Sequence, residues 1–258
     1  MRDIWEEQLK WIESGEPFVL ARVIQTWRSA PRKSGAGMLI GKGMRVAGSV
    51  SGGCIEGAVI EEALDTLGSS ESRRLSFGVE DDLALSVGLS CGGEVSVLLE
   101  KHWAFSADPN TTKVWDTLQN CISNNKPAIL ISALPKENGS STEDQVILLI
   151  LPDGENVGSI QNNHDEAVAL AEEAYKEREN RIVELGGKEY FIQVFPRRDL
   201  LLIIGAGHIT IPLVGFAKEL DFHTIVIDPR GVFATPERFA VPPDQLISKW
   251  PDDVLPEL

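Results

Sequence analysis

The chain has 258 residues, 43% of them hydrophobic and 24% charged, and its 24 Lys and Arg stand against 39 Asp and Glu for a formal net charge of −15. That balance belongs to a globular protein of one or two domains, and its sign excludes a general nucleic-acid binder, whose phosphate contacts need a basic face. No apolar run approaches the ~20 residues of a membrane helix, the first residues lack a signal-peptide core, and Cys54, Cys91 and Cys121 contain no C-x-x-C pair. The expectation is a cytoplasmic protein with no membrane span and reduced thiols, without a disulfide framework or a structural zinc or iron–sulfur site.

Apolar Ile4, Trp5, Leu9 and Ile12 recur at helical spacing and predict an amphipathic helix over residues 4–14 that ends at Gly15. Residues 18–27, rich in β-branched and aromatic side chains, read as a strand running into a loop that carries Arg28, Arg32 and Lys33. In so acidic a chain these three cations form either a local anion site or ordinary surface charge. Residues 38–40 and 45–47 read as a short hairpin or two adjacent strands around Gly41-Lys42-Gly43. They deliver the chain to Gly52-Gly53-Cys54, followed by the helical stripe Ile55, Val59, Ile60, Ala63, Leu64 and Leu67. Cys54 therefore sits near a helix N-terminus, where unpaired amides and the helix dipole favour an anion or a thiolate. A buried cysteine in a tight turn is the alternative at this position.

Residues 73–77 and 94–100 alternate as strands and flank Ser90-Cys91-Gly92-Gly93, a second glycine-flanked cysteine whose place relative to Cys54 the sequence leaves open. A helix over 111–123 carries Cys121 on its apolar stripe, as a packing residue. Strands at 127–134 and 145–151 are joined by a polar loop over 135–144. A helix over 165–178 and a strand over 189–195 lead to a boundary at Pro196-Arg197-Arg198. The second unit opens with the apolar run Leu200–Ile204, read as a buried strand, then the turn Gly205-Ala206-Gly207-His208, a helix over 209–220 and a strand over 222–227. Asp228 follows, about 20 residues past the glycine turn, which completes the dinucleotide fingerprint except that Thr210 replaces its third glycine. Arg230 suits a 2′-phosphate or another anion, and His208 faces either a ligand or solvent. The fold class is α/β: an N-terminal mixed α/β domain over 1–196, then a Rossmann-like parallel-sheet domain over 197–258 that comprises the first half only. Its open sheet edge predicts a homodimer.

Thr26-Trp27-Arg28-Ser29-Ala30-Pro31-Arg32, Gly48-Ser49-Val50-Ser51-Gly52-Gly53-Cys54-Ile55-Glu56-Gly57, Ser90-Cys91-Gly92-Gly93, Gly205-Ala206-Gly207-His208 and Asp228-Pro229-Arg230 occur in the order found in the XdhC/CoxI family, the xanthine dehydrogenase accessory factors. The chain resembles that family over nearly its whole length, with Arg28 standing where a glycine is common. The resemblance implies a chaperone that binds the molybdenum cofactor (molybdopterin), protects it during sulfuration and inserts it into xanthine dehydrogenase or a related molybdenum hydroxylase, with a cysteine desulfurase as a further partner. It implies a maturation factor rather than the dehydrogenase whose name members often carry, because three cysteines cannot ligate that enzyme's iron–sulfur clusters and 258 residues cannot hold its molybdenum and flavin domains. On that basis Cys54 and Cys91 are candidate sulfur-handling thiols, with Cys54 the principal candidate ligand of the molybdenum. Arg28, Arg32, Ser51, Gly52, Gly53, Cys54, Glu56 and Cys91 are candidate cofactor contacts in the first domain, and Gly205, Gly207, His208, Asp228 and Arg230 in the second, where NAD(P) or another nucleotide is the other candidate ligand. Two rival readings remain. One is an NAD(P)-dependent oxidoreductase, resting on Gly205, Gly207 and Asp228; the other is an adaptor whose cysteines are buried and inert.

Overall fold

A computed structural model of the chain describes residues 1–28, 30–69, 71–78, 93–142, 146–160 and 163–257. Two compact units divide it, Met1–Pro196 and Arg197–Leu258.

The first unit holds two antiparallel sheets. One has the order β3-β2-β1-β5-β4-β7, formed by β1 (Val19–Trp27), β2 (Gly37–Ile40), β3 (Val46–Gly48), β4 (Ser72–Phe77), β5 (Glu94–Lys101) and β7 (Ser140–Ser141). The other runs β10-β11-β6-β8-β9, from β6 (Ala128–Ala133), β8 (Val146–Ile150), β9 (Asn156–Gly158), β10 (Arg181–Leu185) and β11 (Lys188–Phe195). Residues 19–24 of β1 are all buried because both faces of the strand are covered. Val19, Ala21 and Val23 meet Val59 and Ala63 of helix α2 (Glu56–Gly68), while Leu20, one residue out of phase, joins Trp11 of α1 (Trp5–Glu13) and Trp115 and Leu118 of α3 (Pro109–Ser123). On the second sheet Ile129, Ile131, Leu148 and Ile192 pack against Ala167, Ala171 and Ala174 of α4 (His164–Glu177), a helical stripe whose small side chains let helix and sheet approach closely.

A charged residue joins the two sheets. Arg22 of β1 is fully buried; its Nε donates to Glu100 of β5 at 2.8 Å, Nη1 to Gln193 of β11 at 3.1 Å and Nη2 to Ser132 of β6 at 3.0 Å. Its guanidinium lies 4.8 Å from the centre of the Trp103 ring. His102 stands next to it in an aromatic cluster, with ring centres 4.8 Å from Phe18 and 4.5 Å from Trp115.

The second unit is a parallel three-stranded sheet in the order β12-β13-β14, from β12 (Leu200–Ile204), β13 (His223–Ile227) and β14 (Gln245–Ile247), with helix α5 (Thr210–Glu219) as the crossover between the first two strands. Val214 of α5 packs with Ile203 and Val226 on one face, and Val254 of the short helix α6 (Pro251–Val254) packs with Ile225 and Ile227 on the other.

Three sequence expectations change here. Within the polar loop 135–144, Ser140 and Ser141 form β7, because the edge of β4 offers Ser72 and Arg73 for pairing. Strands β9 and β10 were not foreseen: the first has three residues, and the second follows directly on α4 with mixed polar composition. Strand β12 is not a fully buried run. It lies at a sheet edge, and Leu200 and Ile204 are 51% and 55% exposed.

Candidate functional site

The chain enters the cysteine loop from β3 and leaves it into α2, the strand-to-helix turn that the glycines predict. Gly52 and Gly53 have φ of +83° and +120°, values that side-chain-bearing residues rarely adopt. A Cβ on Gly52 would also lie 3.3 Å from Pro31 Cβ, so the basic loop lies against this turn. Arg32 joins the two loops: its Nε donates to the Ser49 carbonyl at 3.2 Å, and its other end pairs with Asp3. Arg28 and Lys33 are exposed. Arg28 takes φ +60°, the left-handed region, which gives a physical reason for the glycine common at this position in the family that the sequence resembles.

The turn's amides are not left open. Glu56, in the first turn of α2, folds its carboxylate back over the loop. Oε1 accepts from the Ser49 hydroxyl at 2.6 Å and from the amides of Val50 (3.3 Å), Ser51 (2.9 Å) and Gly52 (3.1 Å); Oε2 accepts from the Ser51 hydroxyl at 2.5 Å and the Gly53 amide at 2.9 Å. Ser51 Oγ in turn accepts from the amides of Cys54 and Ile55, both at 3.0 Å, and so ties the turn to the residues that lead into α2. Burial raises the pKa of the Glu56 carboxyl, but the hydrogen bonds from Ser49, Ser51 and the loop backbone outweigh it and bring the group to about 2. Cys54 is half-buried, its side chain resting against the α2 side of the first sheet. Cys91 and Gly92 lie outside the described residues. Cys121 is buried in the α3 core, where burial pushes its thiol pKa up.

The glycine turn of the second unit is held by its own acid in the same manner. Gly205 has φ +102°, and the Thr210 hydroxyl donates to the Gly205 carbonyl at 2.7 Å, so the residue in the third-glycine position ties the turn together. Asp228 is fully buried. Its Oδ2 accepts from the Ala206 amide at 2.8 Å and from Arg230 Nη2 at 2.8 Å, and its Oδ1 from the Arg230 amide and Nε, both at 2.9 Å. Hydrogen bonding to Arg230 and to the Ala206 amide holds its pKa well below the usual carboxylate range. Two guanidinium groups lie over the Phe233 ring, Arg230 at 4.3 Å and Arg238 at 4.7 Å from its centre. His208 is exposed and Gly207 half-buried. Sequence reasoning missed Arg238, whose Nη1 donates to the Ala206 carbonyl at 2.8 Å; nothing in its spacing marks it as a neighbour of the glycine turn.

Among the described residues no three His, Cys, Asp or Glu side chains gather as a metal cluster, and no helix is long and apolar enough to cross a membrane.

Comparison with known proteins follows the same division. Residues 11–78 match the XdhC and CoxI family, and residues 201–247 match the XdhC Rossmann domain. A Bacillus subtilis protein, named for a probable xanthine dehydrogenase subunit, is 26% identical over 254 residues, which cover 95% of this chain and 69% of the relative. The Escherichia coli molybdenum cofactor insertion chaperone PaoD is 34% identical over 100 residues, 39% of this chain and 31% of that protein. A crystal structure from Bacillus halodurans, described as a xanthine dehydrogenase, aligns with a TM-score of 0.74 and 25% identity over 98% of this chain and 70% of its own. The cysteine-loop part of the first unit is thus similar to the XdhC and CoxI family, and the parallel-sheet unit to the XdhC Rossmann domain.

Proposed function

We propose that this chain is a molybdenum cofactor insertion chaperone for a molybdenum hydroxylase of the xanthine dehydrogenase type. The observation that carries the reading is the rigidly hydrogen-bonded loop that presents the half-buried Cys54 thiol beside a basic loop. A relative that matches part of the chain is itself named a molybdenum cofactor insertion chaperone. A thiolate is a soft ligand suited to the cofactor's metal. The cofactor's phosphate would be met by Arg28, Arg32 and Lys33 rather than by the loop amides, which Glu56 already fills. Cys91 is proposed as the partner thiol, with a cysteine desulfurase as the sulfur source when the cargo is sulfurated in place.

The test is anaerobic titration of the purified chain with molybdenum cofactor, followed by transfer to an apo-hydroxylase, for native protein, Cys54→Ser and Cys91→Ser. Loss of the metal–thiolate contact should weaken binding by tenfold or more in Cys54→Ser, on the scale of about 1.4 kcal/mol per decade. Undiminished affinity and transfer in that variant would remove Cys54 from the role. The oxidoreductase reading has weaker support, because a nucleotide ribose would have to displace Arg230 before reaching the Asp228 carboxylate.

We further infer that the chain self-associates through its second unit. Leu213 and Phe216 of α5 and its flanking residues Ile209 and Leu220 recur at helical spacing and are 40%, 69%, 80% and 72% exposed, and β12 is an edge strand of its sheet among the described residues. A second copy offers the same uncharged stripe and the same edge, as a two-fold interface requires. Light scattering should give the mass of two chains for native protein and one for Phe216→Glu; an unchanged mass in the variant would place the contact elsewhere.

A further inference from the structure

Glu56 accepts six hydrogen bonds on its two carboxylate oxygens, all from residues 49–53. An acid in a first helical turn needs only proximity to the dipole to stabilise its helix. This one instead turns backward and takes the amides of the turn that presents the thiol. Ser51 links the two: it donates to Glu56 Oε2 and, through the same oxygen, accepts from the Cys54 amide. Removing the carboxylate would strand the amides of Val50, Ser51 and Gly53, in a turn whose two glycines have no steric preference of their own to keep it folded.

We propose that Glu56 is a positioning residue whose carboxylate serves as the built-in anion of the 49–53 turn, fixing where the Cys54 thiol stands and how far it is exposed. The role of that thiol in cofactor transfer rests on the function proposed above; its placement by Glu56 does not. Both carboxylate oxygens of Glu56 are engaged by residues 49–53. Glu56 acts through Ser51 and the loop amides.

The experiment uses the full chain and reads Cys54 alone, by mass-spectrometric mapping of iodoacetamide labelling over time. Native protein, Glu56→Gln and Glu56→Ala are compared, each with and without added acetate, and circular dichroism checks that the fold persists. Glu56→Ala should label Cys54 about tenfold faster than native protein, the factor that losing a charge-assisted hydrogen bond represents. Acetate should return that variant toward the native rate by refilling the amides, and should leave native protein unchanged. Glu56→Gln keeps the shape but presents an amide group to the Ser51 and Gly53 donors, so it should fall between the two; it also serves if Glu56→Ala does not fold. A native labelling rate in either folded variant, or a faster rate in Glu56→Ala that acetate does not slow, would overturn the proposal. Cofactor titration of the same variants separates the two ideas: expected labelling with no cofactor binding by native protein leaves the positioning role standing and removes the chaperone reading.

Discussion

Replacing Arg22 with Met should destabilise the first unit by about 3–5 kcal/mol, the cost typical of breaking a buried ion pair from one side. Arg22 has no exposure to solvent, and its guanidinium donates to both sheets at once: to Glu100 within its own sheet, and to Gln193 and Ser132 across the gap. Desolvation lowers its pKa and the Glu100 carboxylate raises it again, so the pair holds its charge only as a pair. The substitution leaves a carboxylate in the interior without its guanidinium. Urea unfolding of Arg22→Met, Glu100→Leu and the double variant measures this directly, because the double variant should recover most of what either single change loses. A double variant as unstable as the sum of the singles would show that packing, and not the charge pair, carries the effect.

The second large effect is acid sensitivity centred on His102. Its ring is buried, and its Nδ1 accepts from the Ala104 amide at 3.2 Å, which leaves the proton on Nε2. Burial, and then the charge of Arg22, lower its pKa from 6.5 to about 3. The native state therefore binds fewer protons than the unfolded chain between those two values, so stability falls as the pH drops through that window. The slope approaches ~1.4 kcal/mol per pH unit, or about 3 kcal/mol between pH 7 and pH 4 from this one group. In His102→Asn the side-chain oxygen takes over the Ala104 amide and nothing titrates. That variant should start less stable at pH 7 and lose about one proton's worth less per pH unit down to pH 4. Parallel curves of unfolding free energy against pH for the two proteins would show that the acid sensitivity arises elsewhere.

These two residues mark the boundary of what local sequence could reveal. Arg22 lies within a run of strand-forming residues, and alternation assigns it to the same face as Leu20 and Ile24 without saying what that face meets. Its partners lie 78, 110 and 171 positions away. Periodicity is a short-range signal, so it locates β1, α2, α3 and β13 but carries no information about which sheet covers which. Very short strands such as β7 leave no period to detect, and they exist only because an edge elsewhere offers hydrogen bonds.

Within the candidate sites the division is the same. The glycine pair before Cys54 and Gly205 in the turn before α5 were readable because glycine suits the positive-φ backbone that these strand-to-helix turns adopt. The acids that follow them, Glu56 and Asp228, were readable as residues near a ligand site but not as the groups that fill it. A carboxylate near free amides is drawn to them whether it belongs to a ligand or to the chain itself, and sequence spacing is alike in both cases. What decided between them was the fold: α2 begins where Glu56 can reach back over residues 49–53, and β13 ends where Asp228 meets the Ala206 amide and Arg230. The sequence by itself determined the longer helices and strands, their order and the two turns, because those follow from local sterics and side-chain period. Only the tertiary structure decided that each turn is held shut by its own acid, and that a buried arginine joins the two sheets, because both depend on distances that form after the chain has packed.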